Sequence, residues 1–399
     1  MSTARQIPVA KPMLGEPEVD AARRVILSGW VTQGPEVAQF EKAFAAYVGA
    51  PFACAVSNCT TALHLALLAI GVREGDEVIT VSHSFIATAN AIRYCGATPV
   101  FVDIEAVGFN IDPDHVAEAI TPRTRAILCV HQLGMPCNMG RIMQIARQHD
   151  LKVVEDAACA TGSEMLWNGE WDRIGKPHAD IACFSFHPRK VVTTGDGGML
   201  TTSDPEYDQR FRLLRQHAMN VSDTVRHGSK QVIFESYDEL GYNYRMTDLQ
   251  AAIGRAQLER LPGIVAARRR LAALYTSLLA PINGLVPPVE PGWARSNWQS
   301  YCVTLPEHAD QSAVMQALLD NGISTRRGVM NAHLEQAYAG RDTQRTAGWL
   351  TNSELAQSRT IMLPLFAQMR EDDVHYVASE LTRVLANLST ANKRSAVGG

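Results

Sequence analysis

The chain has 399 residues, 46% of them hydrophobic and 20% charged, with a formal net charge of -4. This length allows a large buried core and more than one domain, and the composition is that of a soluble globular protein. The slightly acidic balance argues against nucleic acid or an anionic membrane as the main partner, and no apolar run approaches the ~18 residues of a membrane span.

In chain order, helical patterns cover 16–27 and 37–47, the second with Phe40, Phe44 and Tyr47 on one face. Between them lies the Gly-bounded loop Ser28-Gly29-Trp30-Val31-Thr32-Gln33-Gly34-Pro35. From residue 53 the pattern alternates. Strands at 53–56, 77–81, 99–102, 126–130 and 152–155 are interleaved with helices at 60–70, 87–95, 115–120 and 139–149. Val- and Ile-rich strands separated by amphipathic helices indicate βαβ units, hence an α/β fold with a mostly parallel sheet covered on both faces. A strand at 181–184 then runs into a polar, glycine-containing turn, followed by a short β-like run at 199–202.

Downstream, a helix is expected from 205 to about 219, and the polar stretch 220–230 reads as a long mobile loop. Two helices follow, at 249–261 and 264–279, divided by Pro262-Gly263. The basic run Arg268-Arg269-Arg270 reads as a solvated, salt-bridged face. A domain boundary near Pro262 gives a large domain over 1–262 and a smaller α+β domain over 263–388. The latter comprises a strand at 299–305, a helix at 311–321, a loop at 324–333 and a last helix at 372–388. Residues 389–399 read as a flexible tail.

The eight cysteines form no CxxC pair, and Cys54, Cys95, Cys129 and Cys183 lie in or beside apolar segments. That pattern suits buried thiols in a reducing cytoplasm rather than disulfides or a metal site. An N-terminus without an apolar signal segment supports the same cytoplasmic expectation.

Three strand ends carry the chemistry. Lys190 follows the strand at 181–184, and a lysine set in an apolar wall loses hydration, which makes its neutral amine available to attack a carbonyl. Asp156 ends the strand that begins at 152. Thr60 and Thr61 open a helix after the small-residue turn Ser57-Asn58-Cys59, where free amides and the helix dipole favour an anion. A pyridoxal phosphate site needs an amine for a Schiff base, an anion beside the pyridine nitrogen, and a helix N-terminus for the phosphate. Ser185 is placed to add a hydroxyl to the phosphate, and Phe85 to stack on the ring. In open α/β sheets, ligands gather at the carboxyl ends of the strands.

With these residues the chain resembles the DegT/DnrJ/EryC1/StrS family of sugar aminotransferases, of fold type I among pyridoxal phosphate enzymes. The resemblance spans about Pro8 to Leu385 and is densest in five blocks. These are Ser28-Gly29-Trp30 through Pro35; Ser57-Asn58-Cys59-Thr60-Thr61-Ala62-Leu63; and Gly75-Asp76-Glu77-Val78-Ile79 through Phe85. The fourth joins Glu155-Asp156-Ala157-Ala158 to Ser185-Phe186-His187-Pro188-Arg189-Lys190. The fifth joins Gly241-Tyr242-Asn243-Tyr244-Arg245-Met246 to Ala251-Ala252-Ile253-Gly254.

The resemblance implies that Lys190 is the Schiff-base lysine and Asp156 the partner of the pyridine nitrogen. Thr60, Thr61 and Ser185 would bind the phosphate, and Phe85 would cover the ring. Asn243 would reach the phosphate of a neighbouring subunit, which implies a homodimer with shared active sites. Cys159 stands where the family often has Gln or His beside the cofactor's phenolic oxygen, and a thiol is a weaker partner.

The expected function is transfer of an amino group from L-glutamate to a keto group of a nucleotide-linked deoxysugar. Trp30, His187, Arg326 and His333, with the 220–230 loop, are the substrate candidates. The alternatives are an aminotransferase acting on a non-nucleotide keto-cyclitol or keto-sugar, a sugar dehydratase of the same family, and a regulatory protein that binds the cofactor without turnover. Lys190 argues against the dehydratase, which carries histidine there. The regulatory reading lacks any basic patch or DNA-binding extension.

Overall fold

The structure, a computed structural model, describes residues 5–221, 230–340 and 343–397. Helices α1 (Glu16–Ser28) and α2 (Pro35–Val48) lead into β1 (Phe52–Val56), α3 (Cys59–Ala69), β2 (Glu77–Val81), α4 (Ala87–Tyr94) and β3 (Thr98–Val102). Then come α5 (Pro113–Ala119), β4 (Thr124–Val130), α6 (Met139–Gln148), β5 (Lys152–Asp156), β6 (Glu164–Trp167), β7 (Glu170–Arg173), β8 (Ile181–Ser185) and β9 (Gly198–Thr202). Helices α7 (Pro205–Leu214) and α8 (Asp248–Leu279) precede β10 (Ala294–Arg295), β11 (Tyr301–Thr304), α9 (Gln311–Asp320), β12 (Arg326–Arg327) and β13 (Arg345–Thr346). The chain closes with α10 (Thr351–Arg359), β14 (Thr360–Leu363) and α11 (Glu371–Val397).

The main sheet has eight strands in the order β1-β9-β8-β5-β4-β2-β3-β13. Of these, β9 alone runs against the rest, pairing antiparallel with both β1 and β8. Side chains of alternate residues enter opposite cores, as strand pleating requires. Ala182 and Phe184 of β8 join Phe40, Phe44 and Phe186 on one face, while Ile181 and Cys183 join Leu63 and Leu67 of α3 on the other. Both faces are buried, which explains the near-continuous apolar runs in these strands. The expected mixed, mostly parallel α/β sheet is what forms.

Several expected boundaries differ. Pro262 does not stop a helix: α8 is continuous over 32 residues with Pro262 inside it, about 48 Å at 1.5 Å per residue. The missing amide and the ring clash favour a break. Burial of Leu258, Leu261, Ile264 and Val265 on both sides of the proline holds the helix through it. Along α8 the packing changes partner, from the sheet core at Val265 to a second core at Leu271, Tyr275 and Leu279 with β11, β14, α9 and α11. Arg268 falls at that change and is buried rather than solvated, donating to the carbonyls of Trp298 at 2.9 Å and Leu365 at 3.0 Å. Its neighbours Arg269 and Arg270 do meet carboxylates, of Glu164 and Glu371.

The helix expected to reach 219 ends at Leu214, and the last helix runs to Val397 rather than 388. The β6–β7 hairpin was not expected, although its turn, Asn168-Gly169, carries an Asn-Gly hairpin signal with φ of 50° and 88°. Within the 324–333 loop the chain forms β12 beside β14. From the C-terminal third, β13 returns to pair parallel with β3 and completes the large sheet. Residues 222–229 of the expected 220–230 loop lie outside the described residues.

Candidate functional site

Three strand ends meet in register. Val56 of β1 faces Gly198 of β9, and Gly198 faces Ser185 of β8, so the three stand in one row. Two residues before Ser185, Cys183 is paired with Asp156 at the end of β5. The row therefore delivers the start of α3, the Ser185 hydroxyl and the Asp156 carboxylate to one edge of the sheet.

At the first of these ends, Asn58 has extended backbone and caps α3, its Oδ1 accepting the Thr61 amide at 3.0 Å. The Thr61 hydroxyl donates to the Asn58 carbonyl at 2.7 Å. Its single hydrogen is thus committed to the cap, which leaves no donor for an anion there. Among the described residues the amides of Cys59 and Thr60 have no hydrogen-bond partner, as expected for the first turn of a helix. Gly198 lies close against this turn: a Cβ there would sit 2.5 Å from the Asn58 carbonyl carbon and oxygen and 2.9 Å from the Cys59 nitrogen. Only a glycine leaves the cradle open. Ser185 is buried, and its oxygen receives a long bond of 3.4 Å from the His187 amide, so its own hydrogen remains to be donated.

Asp156 is buried at the second end. Its Oδ2 accepts from Thr88 Oγ1 at 2.8 Å and its Oδ1 from the Ala158 amide at 3.1 Å. Burial pushes the carboxyl's pKa up, and the Thr88 and Ala158 bonds offset this only in part. A cation placed against it would offset the effect of burial and favour the carboxylate, the condition a protonated pyridine nitrogen supplies. Thr88 also touches Ser84 at 2.8 Å, and its amide donates to the Phe85 carbonyl at 3.1 Å. The Phe85 ring, one turn away, is 59% exposed, an unusual state for a phenylalanine and available for a planar ligand.

The third end carries Lys190 on a turn closed by its own amide to the His187 carbonyl at 2.8 Å. Its Nζ donates to Cys159 Sγ at 3.0 Å. Burial pushes the amine's pKa down, but Cys159, Cys59 and Asp156 together outweigh burial and hold it above its ordinary value. The expectation of an amine made neutral by desolvation is therefore corrected: its neighbours keep the free lysine protonated. His187, half-buried, accepts the Arg189 amide at Nδ1 at 3.2 Å. Burial and the Arg189 charge lower its pKa, which keeps it neutral near pH 7.

The substrate candidates separate. His333 is drawn to the end of β2, where its Nδ1 meets Ser82 Oγ at 2.6 Å and its Nε2 meets Glu354 at 3.2 Å. Ser82 is three residues before Phe85. Trp30 packs on Gly34 at the start of α2 and donates from Nε1 to the Gln33 carbonyl at 3.2 Å. Arg326 stands exposed on β12, in a three-stranded sheet with β14 and β11. Asn243 is exposed next to Tyr244, whose carbonyl accepts the Ser57 amide at 2.8 Å.

Four residues escaped the sequence reading. Asn58 was legible, because Asn-x-x-Thr before an apolar helix is a capping pattern. Thr88, Asn297 and Gln299 carried no local signal. They act only because tertiary packing brings them to Asp156, Cys159 and Arg189.

The donor set fits pyridoxal phosphate. It offers an amine, a buried carboxylate, an open helix N-terminus in a cradle a Cβ would fill, and an uncovered aromatic ring. Comparison with known proteins points the same way. The profile of the DegT/DnrJ/EryC1/StrS aminotransferase family matches residues 12–382. The chain is 39% identical to GDP-perosamine synthase of Caulobacter vibrioides, over 96% of this chain and 100% of that one. Aminotransferase TlmJ of Streptoalloteichus hindustanus superposes with a TM-score of 0.87 at 34% identity, covering 96% of this chain and 100% of that one. The Streptococcus pneumoniae protein Spr1654, in its pyridoxal phosphate form, does so with a TM-score of 0.86 at 26% identity, with the same coverage.

Proposed function

We propose a substrate and residue roles on one premise: the chain belongs to the DegT/DnrJ/EryC1/StrS aminotransferase family and is a pyridoxal phosphate-dependent sugar aminotransferase. The acceptor in this reading is a keto group on a nucleotide-linked sugar, and the amino donor is L-glutamate. The name of the Caulobacter relative, which specifies a GDP-linked product, supports the nucleotide.

When bound, pyridoxal phosphate supplies an aldehyde for an amine and a ring that draws electrons from the carbon bearing the amino group. Every other role belongs to the chain. Lys190 would hold the cofactor by its Nζ and would carry a proton to and from the substrate carbon. Asp156, held by Thr88 and the Ala158 amide, keeps the ring nitrogen charged. The Cys59 and Thr60 amides, with the Ser185 hydroxyl, receive the phosphate. Phe85 covers the ring, and Cys159 stands beside the lysine. His187 and His333 border the substrate. The observation that carries the reading is the register of β1, β9, β8 and β5, which brings the end of the strand before Lys190, the Asp156 carboxylate and the α3 terminus to one edge.

A homodimer with Asn243 completing the partner's phosphate site belongs to the same reading. Val232, Phe234 and Leu240, on the segment leading to Asn243, are each at least 85% exposed. Large apolar side chains so exposed suit a subunit interface. A cytoplasmic location is consistent with eight free cysteines.

The test is direct. Purified protein is mixed with glutamate and then with a panel of nucleotide-linked keto-sugars, and mass spectrometry looks for a keto oxygen exchanged for an amino group. The yellow lysine-bound cofactor should bleach with glutamate and recover with the correct acceptor. Bleaching without any aminated nucleotide sugar, while a free keto-sugar or keto-cyclitol is aminated, would refute the nucleotide.

A further inference from the structure

Lys190 and Cys159 sit on separate turns. Each turn is anchored where it leaves its strand, by Phe186 N to Gly197 O and Ala157 N to Cys183 O, both at 2.8 Å. The parts that carry Nζ and Sγ lie further out. There a third segment, residues 296–300 after β10, reaches both.

Asn297 is fully buried and donates from Nδ2 to the carbonyls of Cys159 at 2.8 Å and Thr161 at 2.9 Å. Its Oδ1 accepts the Gln299 amide at 2.8 Å, closing a tight turn around Trp298. Trp298 has a φ of 52°, in the left-handed region that a bulky residue occupies only when its surroundings require it. Gly134 leaves room for this turn, since a Cβ there would lie 2.1 Å from Asn297 Oδ1. Gln299, also buried, donates from Nε2 to the Arg189 carbonyl at 2.5 Å, one residue before Lys190. Behind the turn, the buried Arg268 of α8 donates to the Trp298 carbonyl at 2.9 Å.

We propose that Asn297 and Gln299 are positioning residues of the active site, two arms of one clamp that sets the Lys190 amine against Cys159 and so aims it at the cofactor. The proposal rests on the role given above to Lys190. One arm holds the backbone of Cys159 and the other the backbone next to Lys190, so the spacing of the two reactive groups follows from a rigid Asn-Trp-Gln turn. That turn is tied to α8 through Arg268 as well as to both loops. A displacement of about 1 Å at such a group costs on the order of 100-fold in rate, so a clamp of this kind matters to turnover without touching substrate.

The groups facing the amine are Cys159 beyond β5, Asp156 at its end, Cys59 at the start of α3, and His187 on the lysine's own turn. Loosening the clamp weakens the Cys159 contact and leaves Cys59 and Asp156 alone to oppose burial of the ammonium.

Two variants test this. Gln299→Met keeps the bulk and removes the donor. Asn297→Asp keeps the acceptor that closes the turn and removes the donation to Cys159 and Thr161. In the cofactor-free full chain, acylation of Lys190 is followed peptide by peptide against pH. Gln299→Met, which brings no new charge, should move the onset of Lys190 labelling to lower pH. In the loaded enzyme kcat should fall by about 10–100-fold, with KM for the keto-sugar little changed. A labelling profile and a kcat both like the wild type's, in either variant that melts near the wild type, overturn the clamp. If wild-type protein reduced with borohydride carries no pyridoxyl group on Lys190, the lysine's role fails instead. The labelling profile of the cofactor-free chain does not depend on that outcome.

Discussion

Replacing Asp156 by asparagine separates what the site needs from what the fold prefers. The carboxylate is buried, and burial raises its pKa despite the bonds from Thr88 and Ala158. A carboxyl whose folded pKa exceeds its unfolded one stabilises the fold while protonated, and this is lost as pH rises through the folded value. At neutral pH the ionised Asp156 therefore costs the cofactor-free protein stability, and Asp156→Asn, neutral at every pH, should melt higher than wild type. The difference should vanish below about pH 4, where the unfolded carboxyl also binds its proton. Asparagine keeps an acceptor for the Ala158 amide, and Thr88 Oγ1 can turn to accept from the new NH2. Catalysis should move the other way. An opposite charge within 4–6 Å is worth roughly 1–3 pK units, or about 1.4–4 kcal/mol, so kcat should drop about 10–1000-fold. Thermal melts of the cofactor-free protein across pH, beside steady-state kinetics of the loaded enzyme, measure both. An Asp156→Asn protein with wild-type kcat, or with a lower melting temperature at pH 7, would falsify the assignment.

Other substitutions probe the remaining strand ends. Lys190→Ala should leave no pyridoxyl label after borohydride reduction and should lose turnover almost entirely, as seen by peptide mass spectrometry and rate assay. Gly198→Ala pushes a methyl into the Asn58 carbonyl at 2.5 Å; overpacking of this kind costs about 1–3 kcal/mol, and cofactor retention on dialysis should fall with it. Asn58→Ala removes the α3 cap and should lower stability by about 1 kcal/mol in chemical denaturation. The same change frees the Thr61 amide, so phosphate affinity should suffer less than stability.

The class of fold and the outline of the site were written in local pattern. Val- and Ile-rich strands bounded by amphipathic helices dictate a parallel sheet, because only burial on both faces satisfies them. A lysine, an aspartate and a threonine-opened helix each placed at a strand end announce their side of the sheet, because parallel strands put all their carboxyl ends together. What local pattern misjudged were energies settled by distant contacts. Pro262 reads as a stop, yet α8 passes through it because the sheet core buries its flanks on both sides. Arg268 reads as solvated, yet it lies buried among carbonyls of two remote segments, at Trp298 and Gln299 and at Leu365.

The same division runs through the site. Residue type and spacing singled out Lys190 and Asp156 as candidates. The charge state of the lysine depends on Cys159, Cys59 and Asp156, which come from other parts of the chain. Thr88, Asn297 and Gln299 had no local signature, since a hydrogen bond spanning 68, 138 or 110 residues leaves no trace in any window of sequence. Sequence alone determined which chemical groups stand at the strand ends, because side-chain periodicity is a local property. Their distances, protonation and anchoring were decided by tertiary packing, because those depend on which remote segments fold against them.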